Sequence, residues 1–167
     1  AALRITLTHG PGHRGLLPPE DPRPNLLITA AAYQPPSQLD GFIAVIATGV
    51  ARNEASITAR LKTLGYLDNI LAQRQAARAE ADEALLLNGK GRVACGARSN
   101  LFLQVDGRLL TPAVEEGALP GITRRVILGL CTEMGLATEE GIVTHVPLYG
   151  DFFRCARRLD APSMDCL

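Results

Sequence analysis

The chain has 167 residues, with Lys+Arg and Asp+Glu both at 17 and a formal net charge of +0, so it lacks the basic excess that a nucleic-acid or anionic-membrane partner selects. Hydrophobic residues at 47% and charged residues at 20% exclude disorder and give one folded domain with a piece of a second. Aromatics at 4%, with no Trp, mean that the core is built from Leu, Ile, Val and Ala. Residues 3–8, LRITLT, alternate apolar and polar side chains as a half-buried strand does. HGPGHRGLLPPEDPRP (9–24) is crowded with Gly and Pro and reads as a loop. LLITAA (26–31) is a second strand, and the stiff, polar YQPPSQLDG (33–41) marks a linker and a domain boundary.

Beyond the linker, the apolar run FIAVIATG (42–49) reads as a buried strand. Residues 66–80 are good helix formers, with an apolar side that starts at Leu67, Ile70 and Leu71 and continues through alanines. ALLLN (84–88) and RVA (92–94) are strands joined by a GKG turn. NLFLQV (100–105) and RLLTP (108–112) flank Asp106-Gly107, a strong hairpin signal. From Ile122 to Met134 apolar residues fall at 122, 126, 127, 130, 131 and 134, a core-facing helical stripe that Gly135 is placed to end. IVTHV (142–146) is a further strand, and the final YGDFFRCARRLDAPSMDCL has no clear period. The sum is a mixed α/β chain. No run approaches the length of a membrane-spanning helix, and the N-terminus lacks the pattern of a signal peptide. The missing initiator Met gives the expectation that the true start lies upstream.

Cysteines at 95, 131, 155 and 166 have no C-x-x-C spacing and no clustering with His9, His13 or His145, so no metal site is expected and free thiols in a cytoplasmic protein are. His9 and His13 read as solvated loop residues and His145 as a strand residue. Asp82-Glu83 point to opposite faces of a strand, and Glu115-Glu116 reads as a solvated pair in a turn. Three segments could carry chemistry. In GALPGITRRVILGLC (117–131), Pro120-Gly121 forces a turn into a helix whose first amides, with the Thr123 hydroxyl, form an anion site. An ordinary helix start has the same pattern. Lys62, in ARLKTLGYLDNI, has apolar neighbours whose burial of it would favour the neutral amine. A lysine at a helix edge with its head in water is the plainer alternative. In GRVACGARSNLF, the small residues Gly96, Ala97 and Ser99 let a ligand approach the backbone closely, or simply make a β-bend.

Taken in order, K-T-L-G-Y-L-D-N-I-L-A, D-E-A-L-L-L-N, G-R-V-A-C-G-A-R-S-N-L-F, D-G-R-L-L-T-P and G-A-L-P-G-I-T-R resemble the class IV aminotransferases, the fold-type IV pyridoxal-phosphate (PLP) enzymes. That family includes branched-chain aminotransferases, D-amino acid aminotransferases and aminodeoxychorismate lyase. The resemblance implies a PLP cofactor held by Lys62 as a Schiff base, with Tyr66 near its phenolic oxygen. It places Cys95, Gly96 and Ala97 along the ring, Arg98 and Ser99 on the substrate side, and the Ile122 and Thr123 amides and hydroxyl on the phosphate. It implies a homodimer whose partners are an amino acid and a 2-oxo acid, with the branched-chain type favoured by Tyr66. Lyase and D-amino acid aminotransferase are the alternatives. Residues 1–32 become the last strands of the small N-terminal domain, 33–41 the interdomain linker, and 42–167 the large PLP-binding domain.

Departures from the family set a further alternative. Relatives carry glutamate where this chain has Cys95, a carboxylate that keeps the pyridine nitrogen protonated, and a neutral thiol is a poor substitute. Against that family, most of the small domain and the last phosphate-binding turn are expected to lie outside this sequence. The expectation is therefore a chain truncated at both ends, either working or a catalytically disabled scaffold homologue.

Overall fold

The alternating N-terminal segment folds back on its neighbour through the Gly- and Pro-rich loop: β1 (Ala2–Thr8) pairs antiparallel with β2 (Asn25–Ala31). The register sets Leu3 opposite Ala30, Ile5 opposite Ile28 and Leu7 opposite Leu26. Because side chains alternate between faces, these residues form one apolar face, and its large side chains are exposed. The computed structural model describes residues 1–33 and 42–144 and the backbone of 152–155. By contacts the chain divides into two compact units, Ala1–Gln38 and Leu39–Leu167. The expected linker, apart from Tyr33, lies outside the described residues, as do His145, Val146 and most of the C-terminal stretch.

In the second unit, β3 (Phe42–Ile46) runs parallel to β4 (Glu83–Leu87), joined through helix α1 (Leu67–Arg78). β4 turns tightly into the antiparallel β5 (Arg92–Gly96), and β9 (Val143–Thr144) adds outside β5. β10 (Phe152–Cys155), in the stretch without a readable period, pairs with β3, giving the order β10-β3-β4-β5-β9. A smaller sheet combines the hairpin β6 (Leu103–Val105) and β7 (Arg108–Pro112) with β8 (Thr138–Gly141), which lies parallel to β7 after helix α2 (Ile122–Glu133). Parallel pairs need such crossovers, and two strand–helix–strand units make this a mixed α/β fold.

Local chemistry explains the element ends. Asp106 and Gly107 both have positive φ, 49° and 77°, as a two-residue type I′ hairpin turn requires. Gly135, at φ 68°, ends α2: its N–H donates to Thr132 O, and Leu136 N–H donates to Cys131 O. The strand expected over 100–105 starts only at Leu103: continuing the register would set Leu101 opposite Pro112, which has no N–H, and Leu101 O instead accepts from Thr111 Oγ1 at 2.6 Å. β3 stops at Ile46 instead of running to Gly49. There Thr48 exchanges backbone bonds with the Gln75 side chain, and Gly49 turns at φ 69°.

The helix faces differ from the expected ones. On α1 the buried residues are Asn69, Ala72 and Ala76, whereas Leu67 and Ile70 are more than half exposed and Leu71 is exposed too. The alanines pack on Val45, Ala47, Ala84, Leu86, Ala94, Cys95 and Ala97, where only short side chains fit between helix and sheet. On α2, Arg124 and Cys131 are buried and Ile127 and Leu128 partly so, while Val126, Leu130 and Met134 of the predicted core stripe are exposed. The opposite face of the large sheet buries Ala44, Leu85, Val93, Leu101 and Val143. Burial on both faces accounts for the continuous apolar run in β4.

Candidate active site

Lys62 lies between a short 3-10 turn, Ile57–Arg60, and the start of α1, one helical turn before Tyr66. Its Nζ donates to Tyr66 Oη and sits 4.4 Å from the ring centroid. The burial expected around it is absent. Lys62 is exposed, and Leu61 and Leu64 beside it are at least half exposed. Tyr66 caps α1 without a side-chain bond. It also forms part of the wall of a cavity of about 90 Å³, with Arg52, Asn53, Thr58, Asp68 and Asn69, that does not include Lys62. That volume is far below the several hundred Å³ of a cofactor cleft.

The bend after β5 is held from several sides. Gly96 N–H donates to Ser99 O and Ala97 N–H to Ala84 O. Arg98 Nη2 donates to Asp82 O, with its Nε 3.7 Å from Glu83, and Ser99 Oγ donates to Glu83 Oε2 at 2.9 Å. A Cβ at Gly96 would stand 2.2 Å from Ser99 Oγ, so a larger residue there would have to push Ser99 off its bond to Glu83. The register shift between Leu86 and Leu87 leaves Ala94 unpaired, a bulge that turns Cys95 toward Leu86 and the alanines under α1. Burial pushes the Cys95 thiol up to about 11; the positive charge of Arg52 opposes this and the negative charge of Glu83 adds to it. The group is therefore a neutral thiol at physiological pH.

α2 starts at Ile122 with Gly121 as its cap and no side-chain cap bond, and Ile122 and Thr123 are exposed. The amides of this first turn have no acceptor within the helix and point outward with the positive end of its dipole.

Three hydrogen-bonded ties draw these segments into one place. Arg52 Nη2 donates to Ala59 O at 2.7 Å, and its Nε to Gly117 O at 3.1 Å, linking the turn before Lys62 to the loop before α2. Asn69 Nδ2 donates to Ala97 O at 2.7 Å, linking α1 to the bend. Asn100 Nδ2 donates to Leu119 O at 2.8 Å, linking the bend to the same loop. Sequence reasoning missed all three residues, since each acts by a contact between distant positions. A single glycine three or four positions before each (Gly49, Gly65, Gly96) is the only signal they give.

Glu83 enters the sequence reading only as half of a carboxylate pair, not as a brace of the bend. It serves the bend, while Asp82 Oδ2 accepts from Ile43 N, so the two carboxylates do answer to different segments. Glu116 is not the solvated residue expected. It is 7% exposed, accepting from Asn88 Nδ2 at 2.7 Å and Arg92 Nη1 at 2.9 Å under the loop that leads to α2. His9 and His13 are exposed. Among the described residues no group of three His, Cys, Asp or Glu could hold a metal, and no helix is long and apolar enough to cross a membrane.

The family described as amino-transferase class IV matches residues 1–151. The branched-chain-amino-acid aminotransferase of Salmonella typhimurium is 33% identical over 154 residues, 89% of this chain and 50% of that protein. The crystal structure of the branched-chain amino acid aminotransferase of Escherichia coli superposes with a TM-score of 0.79 at 29% identity, covering 92% of this chain and 52% of the other. That of Thermobaculum terrenum, in its PLP form, gives a TM-score of 0.67 at 30% identity over 82% of this chain and 46% of its own. The chain spans about half the length of the curated relatives it matches, an aminodeoxychorismate lyase of Bacillus subtilis among them.

Proposed function

The chain belongs to the class IV aminotransferases, and from that premise we propose that it forms the cofactor-binding part of a PLP-dependent enzyme moving an amino group between a small, branched-chain amino acid and a 2-oxo acid. The observation that carries this reading is the closed set of ties through Arg52, Asn69 and Asn100. It links the segments that carry an exposed amine, a close-approach bend and an open helix N-terminus, from three separate parts of the sequence.

The residues present fit such a cofactor at two of its three ends. Lys62 offers an exposed primary amine whose partner is a phenol rather than a carboxylate, so it is not locked in an ion pair. The first turn of α2 offers Ile122 and Thr123 amides free of a competing cap, suited to a phosphate. At the ring nitrogen, Cys95 supplies a neutral thiol where a carboxylate would hold a proton in place. When bound, PLP supplies the electron sink for the carbanion left when the substrate Cα loses a proton. Lys62 Nζ is the base that takes that proton and returns it, and Tyr66 Oη, accepting from Nζ, orients it. Gly96, lacking a side chain, leaves the bend flat, and Arg98 and Ser99 stand on the substrate side, braced by Glu83.

Incubation with PLP, borohydride reduction and peptide mapping tests the reading. A stoichiometric adduct on Lys62, lost in Lys62→Ala, supports it. Labelling spread over surface amines rejects it. Lyase or D-amino acid chemistry on the same lysine would give the same adduct but no turnover of branched-chain L-amino acids.

Cys95 favours a second reading, that of a scaffold homologue disabled for transamination. Cys95→Glu separates the two: activity that emerges only with the carboxylate marks the present chain as disabled.

A further inference from the structure

The side chain of Arg124, the third residue of α2, is spent inward. It is 5% exposed, its Nη2 donates to Pro112 O at 3.1 Å and to Glu140 Oε2 at 2.6 Å, and its Nε is buried without a partner. Burying a guanidinium is costly, and the orphan Nε leaves that cost partly uncompensated. Glu140 is itself half exposed, so the ion pair is partly screened. Stability alone is a weak reason for an arginine here, because an apolar side chain of similar length would fill the space at lower cost.

Position supplies a better reason. Pro112 ends β7 and Glu140 lies on β8, so the guanidinium fastens the first turn of α2 to the two-strand floor beneath it. Little else holds that turn: its cap is a glycine without a side-chain bond, and Ile122 is 74% exposed. From the side, Asn100 Nδ2 holds Leu119 O, and its Oδ1 occupies the space a Gly121 Cβ would need, at 2.3 Å.

We propose that Arg124 is a positioning residue which, with Asn100, fixes the Ile122 and Thr123 amides where they meet the cofactor's phosphate. The inference rests on the reading of α2 as the phosphate site.

The test compares the affinity of the full chain for PLP and for pyridoxal, which lacks the phosphate, by spectroscopic titration, with thermal melting as the folding control. The wild type should prefer PLP. Arg124→Met should lower PLP affinity by roughly tenfold, the loss expected when one charge-assisted hydrogen bond slips out of geometry, and leave pyridoxal affinity unchanged. Arg124→Lys should recover part of the loss. Asn100→Ala, a neutral change, should show the same selective loss and carries the test if the Met variant does not fold. An unaltered preference in folded variants, or equal loss for both ligands, overturns the positioning role. A wild type without preference for PLP overturns the phosphate site itself and the inference with it.

Discussion

Cys95→Ala should make the stability of this chain less sensitive to alkaline pH. The wild-type thiol is held at about 11 against an ordinary 9.0, chiefly by burial among alanines and Leu86. Between those values the unfolded thiol has lost its proton and the folded one has kept it. Unfolding therefore releases a proton, and rising pH favours it. The neutral thiol's contribution is intact below pH 9, falls by about 1.4 kcal/mol per pH unit above it, and totals roughly 2–3 kcal/mol by pH 11. At pH 7, removing the sulfur should cost about 1 kcal/mol in lost burial and a small void. The wild type should thus be the more stable protein at pH 7, with its advantage gone near pH 10. Urea midpoints followed by circular dichroism at pH 7, 8, 9 and 10 measure this, and the difference between the two proteins cancels the titration of lysines and tyrosines common to both. Parallel stability profiles would refute the reasoning, showing that the thiol is not held neutral by the fold.

Three other outcomes are expected. Glu116→Ala strands Arg92 and leaves Asn88 Nδ2 only the longer, 3.2 Å bond to the residue 116 carbonyl, and should lower stability by about 2–3 kcal/mol in urea titration, with Glu116→Gln, which keeps a side-chain acceptor for Asn88, losing less. Gly107→Ala forces a Cβ onto a residue at φ 77° and should cost about 1 kcal/mol, read as a lowered melting temperature. The exposed apolar faces of α2 and of the β1–β2 ribbon should drive self-association in sedimentation. Leu130→Lys should reduce it while changing stability by no more than about 0.5 kcal/mol.

What the sequence disclosed was local. The Asp106-Gly107 turn, the glycine stop of α2 and the Gly/Pro-rich loop between β1 and β2 follow from backbone preferences that a few adjacent residues carry. The three candidate segments could be picked out for the same reason, each being a run with its own pattern. What joins them was not, because Arg52, Asn69 and Asn100 reach across 7 to 65 positions and nothing beside them in sequence announces the partner. The helix faces misled for a different reason. Periodicity identifies the side rich in large apolar residues, but α1 approaches the sheet too closely for leucine, and its alanines take the buried face. On α2 a buried arginine occupies a position that hydropathy would assign to solvent. Glu116 was read as solvated because its neighbours in sequence are polar, whereas its environment is set by Asn88 and Arg92.

The alanine floor beneath α1 has a consequence for how such a protein can drift. Ala72 and Ala76 are wholly enclosed, and the same helix carries Tyr66 and Asn69 at its other end. A rigid rod resting on methyl groups has no slack to absorb a longer side chain. Ala76→Val, a change most substitution tables score as mild, would lever the rod upward. It would stretch the 2.7 Å reach of Asn69 to Ala97 and tilt the phenol that steadies Lys62. Two buried methyl groups thus set the gap between α1 and the sheet that Asn69 has to span. Neutral wandering of this core and the spacing of the candidate site are, for that reason, the same constraint.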